Sequence, residues 1–182
     1  SSPYSEKAQI FKRQLDSESG PIRVIAPQLP VYPSDAVAMI IDLYLNNKNN
    51  LLGVVGSSLG GYLATYLHNE FNLPIAVVNP AVKPFELLAD YLGPQCQPIT
   101  NENYTLERRH MTELEAIYST SIRSPERVWL LQQEGDEVLD YKQALAHYQA
   151  CRVTLEPDGS HAFEDFERYP LAIVDFLQKQ NT

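Results

Sequence analysis

Leu51-Leu52-Gly53-Val54-Val55-Gly56-Ser57-Ser58-Leu59-Gly60-Gly61-Tyr62 is the stretch that decides how this 182-residue chain folds. Its opening run is apolar and uncharged, which predicts a buried parallel strand. Gly56 to Gly60 then spells G-x-S-x-G with Ser58 at its centre, and Leu63-Ala64-Thr65-Tyr66-Leu67 continues as a helix. Strand, G-x-S-x-G and helix in that order make a nucleophile elbow, a sharp turn that lifts one hydroxyl above the sheet. Glycine suits positions 56 and 60 because side chains there would crowd the neighbouring backbone. The helix that follows aims its free N–H groups at the serine, which favours an anion formed there. An ordinary βα turn and a phosphate cradle are the rival readings. Neither G-x-G-x-x-G nor G-x-x-x-x-G-K-[ST] is present, which counts against the cradle.

Working outward, residues 4–17 have helical spacing, with Ala8, Phe11 and Leu15 on one face and Ile10 alongside. Gly20-Pro21 stops that helix, and residues 22–27 are expected to form a strand. The proline-rich 29–33 keeps the chain extended. Ser34 or Asp35 is placed to cap a helix reaching about Asn46. Beyond the elbow helix, strands are expected at 74–79, 127–133 and 151–156, and helices at 140–150 and 170–179, with Asp140 as a cap. The 81–127 segment is too long for a simple connection and reads as a cap-like insertion of short helical pieces over the end of the sheet. The whole is expected to be one α/β domain, 1–182, with a doubly wound, mainly parallel sheet and helices on both faces. The first visible element is a helix where such a sheet should begin with a strand.

A formal net charge of -9 disfavours a nucleic-acid partner. No apolar run reaches the roughly 20 residues needed to span a bilayer. Two cysteines, Cys96 and Cys151, have no metal-ligand spacing; no metal and no cofactor are expected. Reduced thiols in a cytoplasmic protein are the default, with a single bridge left open.

Catalytic groups in open parallel sheets sit at the carboxyl ends of strands. Of the four histidines, His68 and His147 lie inside helices and His110 lies within the cap. His161 alone follows a strand, late in the chain, where the order Ser…Asp…His requires the base. For the acid, Asp136 lies directly after strand 127–133 and is favoured over Glu137. Asp136 also reads as a plain turn residue beside Gly135. The expected roles are Ser58 as nucleophile, His161 as base, Asp136 as its orienting acid and the Leu59 backbone N–H as one oxyanion donor. Leu88 and Tyr91, in the cap, are candidates to line an acyl pocket, with packing on the core as the plainer role.

Several stretches together resemble the small α/β-hydrolase esterases of the YqiA family: Pro27-Gln28-Leu29-Pro30, Gly56 to Tyr62, Val78-Asn79-Pro80-Ala81-Val82-Lys83-Pro84-Phe85-Glu86-Leu87-Leu88, Trp129-Leu130-Leu131-Gln132-Gln133, Gly135 to Tyr141 and His161-Ala162-Phe163. The resemblance implies the α/β-hydrolase fold and the same Ser58, Asp136 and His161. It further implies an apolar strand and a His-Gly-Phe-Asn loop ahead of Ser1-Ser2-Pro3. The chain as written reads as lacking both, and with them the second oxyanion donor. The expected activity is a serine hydrolase acting on a small-molecule carboxylic ester or thioester. A catalytically inactive hydrolase fold used for binding and a nucleotide-binding α/β protein are the alternatives. The sequence leaves the oligomeric state open.

Overall fold

The computed structural model describes residues 2–17 and 21–181. Four parallel strands, β1 (Val54–Ser58), β2 (Ile75–Pro80), β5 (Val128–Gln133) and β6 (Arg152–Glu156), form a sheet in the order β1-β2-β5-β6. Two further strands, β3 (Gly93–Cys96) and β4 (Asn103–Leu106), pair as a separate antiparallel hairpin. The helices are α1 (Glu6–Ser17), α2 (Pro33–Asn47), α3 (Leu59–Phe71), α4 (Pro84–Leu87), α5 (Arg108–Ala116), α6 (Tyr141–His147) and α7 (Pro170–Lys179).

Alternation along β2 and β5 builds the two faces. Ala76, Val78, Trp129 and Leu131 point to one side, against Ile10, Phe11 and Leu15 of α1 and Ile173, Phe176 and Leu177 of α7. Ile75, Val77, Val128 and Leu130 point to the other, against Ala36 and Ile40 of α2, Leu63, Ala64 and Leu67 of α3, and Ala144 of α6. Every residue of β2 and β5 is buried, as befits parallel strands covered on both faces. The doubly wound arrangement expected from the sequence is the one observed. Among the described residues, no helix is long and apolar enough to cross a membrane.

Residues 22–27 depart from expectation. They keep the alternation of a strand, with Ile22 and Val24 packed on the α1–α7 side of the core while Arg23 and Ile25 are exposed, yet they join no ladder. A strand exists through its partner's N–H and C=O groups, and among the described residues no strand lies on the outer edge of β1. Gly20, the expected stop of α1, lies outside the described residues.

The 81–127 segment departs as well. Besides α4, a 3-10 turn at Leu88–Tyr91 and α5, it contains the β3–β4 hairpin where only short helical pieces were expected. Gly93-Pro94-Gln95-Cys96 gives no apolar alternation to read, and Asn103-Tyr104-Thr105-Leu106 alternates over four residues only. The segment packs on α3 through its own cluster of Tyr62, Leu106, Met111 and Leu114. The start of α2 also differs: Pro33 takes the first turn, Tyr32 precedes it without a side-chain cap, and the Ser34 N–H donates to Glu113 Oε2 at 3.2 Å.

Candidate active site

The site is built at the carboxyl ends of β1, β5 and β6. Ser58 ends β1 with φ 54° and ψ -125°, a conformation that non-glycine residues hold only when their surroundings impose it. Those surroundings are backbone. A Cβ on Gly56 would stand 2.1 Å from the Gly60 carbonyl oxygen, and one on Gly61 would stand 2.6 Å from Pro80 Cβ. The β1–β2 register shifts between Ser57 and Ser58, and the Ser58 carbonyl accepts the Ala81 N–H at 3.0 Å. Leu59 then opens α3, so its N–H is among those with no intrahelical partner.

Asp136 sits in the turn after β5, its carboxylate fully shielded from solvent. Its Oδ1 accepts the N–H groups of Val138 at 2.9 Å and Leu139 at 2.8 Å. His161 Nδ1 lies 2.9 Å from Asp136 Oδ2, and His161 Nε2 lies 3.1 Å from Ser58 Oγ. With Nδ1–H donating to the carboxylate, the Nε2 lone pair faces the serine and accepts from its hydroxyl. The three groups make one continuous chain of hydrogen bonds, able to move a proton off Ser58 and to stabilise the imidazolium that results.

Glu137, the weaker candidate for the acid, does not reach the ring. Its Oε2 accepts the backbone N–H of His161 at 2.8 Å. That hydrogen bond, with one from its own N–H, holds the Glu137 carboxyl below the usual carboxylate range. The two neighbouring carboxylates therefore divide the work, one on the imidazole and one on its main chain. Asp140 caps α6 instead, accepting the Lys142 N–H at 3.0 Å.

The other histidines are accounted for elsewhere. His68 is buried in α3 with Nδ1 2.6 Å from the Leu73 carbonyl oxygen and Nε2 accepting the Ser124 N–H at 3.2 Å. His110 closes a capping box at the start of α5 with Glu107. His147 stacks on Tyr118. Of the two cap candidates, Leu88 packs against the Tyr62 cluster and Tyr91 is largely exposed. Neither hydrogen-bonds with Ser58, Asp136 or His161.

Sequence reasoning gave no role to Asn79 and Gln133, polar residues near the carboxyl ends of two strands that begin apolar, although that placement was visible. Asn79 Nδ2 donates to the carbonyls of Ser160 at 2.8 Å and His161 at 3.2 Å. Gln133 Oε1 accepts the Ser160 N–H at 3.2 Å and the Glu164 N–H at 2.8 Å. Among the described residues, no cluster of His, Cys, Asp and Glu could hold a metal ion, and Cys96 and Cys151 are both free. Burial pushes the Cys151 thiol up to about 11.

Similar arrangements of elements occur in solved structures. A candidate hydrolase from Agrobacterium vitis S4 is 19% identical, with a TM-score of 0.71 over 97% of this chain and 84% of that one. Est1E from Butyrivibrio proteoclasticus, solved with ferulic acid bound, is 12% identical, with a TM-score of 0.68 over 100% of this chain and 85% of its own. Mouse alpha/beta hydrolase domain-containing protein 10 is 15% identical, with a TM-score of 0.66 over 100% and 87%. At such identities the likeness is one of fold, and the fold is that of the α/β hydrolases. The model described as uncharacterised protein family UPF0227 matches residues 1–178, and the chain belongs to that family, the YqiA family that its motifs resemble.

Proposed function

We propose that the protein is a serine hydrolase that cleaves a small-molecule carboxylic ester or thioester through an acyl-enzyme. Ser58 Oγ attacks the acyl carbon while His161 Nε2 takes the hydroxyl proton. The Leu59 N–H donates to the tetrahedral oxyanion, and Asp136 stabilises the imidazolium. As the C–O or C–S bond breaks, His161 returns the proton to the leaving alcohol or thiol. Water, activated by the same imidazole, then releases the acid and frees Ser58.

The observation that carries this reading is the hydrogen-bonded chain from the strained Ser58 through His161 to the shielded Asp136. A merely packed serine has no need of a positive φ or of an imidazole held at both nitrogens. In the same reading the 81–127 segment is the cap, with Leu88 and Tyr91 lining the acyl pocket. The same reading takes the protein to work in the cytoplasm, where free thiols such as Cys96 and Cys151 are the default. The charge of -9 speaks against a nucleic-acid partner.

A fluorophosphonate probe tests the reading, followed by a panel of acyl esters and acyl thioesters. Labelling confined to Ser58 and lost in Ser58→Ala supports it. A wild-type protein that takes no label and turns over no member of the panel would be a binding protein on a hydrolase fold.

A further inference from the structure

From the hydrogen bonds around the 157–165 loop, we infer that Asn79 and Gln133 are positioning residues that hold the backbone of His161 where its ring can serve Ser58. The inference rests on the proposed roles of Ser58 and His161. The loop needs such support. Asp158, Gly159, Phe163 and Asp165 all have positive φ, at 59°, 81°, 63° and 54°. Three of these are not glycine, and such a run persists only where surrounding structure over-determines it. The strand residues supply that determination.

Gln133, at the end of β5, is buried and spends its side chain entirely on this region. Nε2 donates to Glu156 Oε2 at 2.9 Å and to the Glu164 carbonyl at 3.0 Å. Oε1 accepts from the Ser160 and Glu164 N–H groups. Two donors and two lone pairs are the full capacity of a carboxamide. The fit leaves no room for a side chain at position 159, where a Cβ would meet Gln133 Oε1 at 2.1 Å.

Asn79 is the penultimate residue of β2, the strand that lies between those leading to Ser58 and Asp136. It is fully buried, and its φ of 40° is one that asparagine tolerates better than most residues. Its Nδ2 donates to the Ser160 and His161 carbonyls while its Oδ1 accepts the Gln133 N–H at 3.0 Å. The main chain of His161 is thus held at both ends, its C=O by Asn79 and its N–H by Glu137. The ring, fixed by Asp136 and Ser58, rides on a backbone with little freedom to swing.

A double-mutant cycle separates positioning from general damage. Asn79→Gly removes the side chain and keeps the left-handed backbone comfortable. It should lower kcat for p-nitrophenyl butyrate by about 10²-fold, the scale of a small misplacement of a reacting group, with KM little changed. In a His161→Ala background the same substitution should cost nothing further, because the residue it positions is gone. Asn79→Asp preserves size and the Gln133 acceptor but loses the donor, and repeats the cycle should Asn79→Gly fail to fold. Gln133→Met should follow the same pattern. Unchanged kcat in the Asn79 variants, or an equal loss with and without His161, overturns the inference while leaving the site reading intact. Full turnover in Ser58→Ala removes the site reading, and this inference with it.

Discussion

His161 Nε2 stands 3.1 Å from Ser58 Oγ, although 103 positions separate the two residues in the chain. The sheet order explains the meeting. Ser58 leaves β1, Asp136 follows β5 and His161 follows β6, with β2 between the first two. In a parallel sheet all four carboxyl ends lie on one side, so groups far apart in sequence share one rim. The turn after β5 and the loop after β6 are tied by backbone, Gly135 N–H donating to the Asp158 carbonyl at 2.7 Å. A Cβ on Gly135 would stand 2.3 Å from the Gly159 oxygen, so the contact admits no side chain.

If the three groups act as a unit, Ser58→Ala and His161→Ala should each lower kcat by roughly 10⁴ to 10⁶, and the double variant should lose little more. Asp136→Asn should cost somewhat less than either. Steady-state ester hydrolysis with all four variants measures this. Losses that multiply in the double variant would contradict a shared mechanism.

The division between the two carboxylates gives a sharper comparison. Glu137→Gln keeps an acceptor for the His161 N–H and removes only the charge, so kcat should fall by about tenfold or less. Asp136→Asn removes the partner of Nδ1–H and should fall by orders of magnitude. Equal losses in the two variants would mean that the ring does not depend on Asp136 in particular.

Much of this candidate site is legible in the sequence. G-x-S-x-G between an apolar run and a helix located Ser58, and the strand-end rule selected His161 and preferred Asp136, because both signals are local and chemical. Residues 22–27 were legible as alternation but not as a strand, since pairing is a property of two segments and one segment cannot show it. The β3–β4 hairpin was hidden because Gly93-Pro94-Gln95-Cys96 has no apolar period. Glu137 and Asn79 escaped for a third reason. Both act on the main chain of His161, and a side chain's partner across more than twenty positions leaves no mark in local sequence.

Acid stability should report on His68. Burial lowers its pKa from the ordinary 6.5, with the Leu73 carbonyl opposing and Arg127 and Arg123 adding to the shift. Above 6.5 neither the folded nor the unfolded chain binds this proton, so its contribution to stability is fully present. As the pH falls below 6.5 the unfolded chain takes up a proton that the folded one refuses, and stability declines until the lowered folded pKa is passed. His147, also lowered by burial, contributes with the same sign. Urea melts between pH 8 and pH 5 should show this decline, and His68→Gln should make it shallower. An unaltered slope in that variant would remove His68 from the account.

The proposed cap offers a test of substrate choice in which stability and specificity separate. Leu88 is half-buried against Tyr62, Leu106, Met111 and Leu114, so Leu88→Ala should cost about 1–2 kcal/mol through lost burial. Tyr91 is 56% exposed, and Tyr91→Ala should shift stability by less than about 0.5 kcal/mol. If the two side chains line the acyl pocket, both variants should change how kcat/KM depends on acyl chain length across a p-nitrophenyl ester series. Removing apolar surface is worth about 0.8 kcal/mol for each methylene it covered, roughly fourfold per carbon, so the longest chains should lose most. Tyr91→Ala is the more telling variant, because any change in its profile comes without the disturbance of folding that accompanies Leu88→Ala. A chain-length profile that is flat in the wild type, or is identical in Tyr91→Ala, assigns Tyr91 to the surface of the cap and leaves the choice of acyl group to other residues.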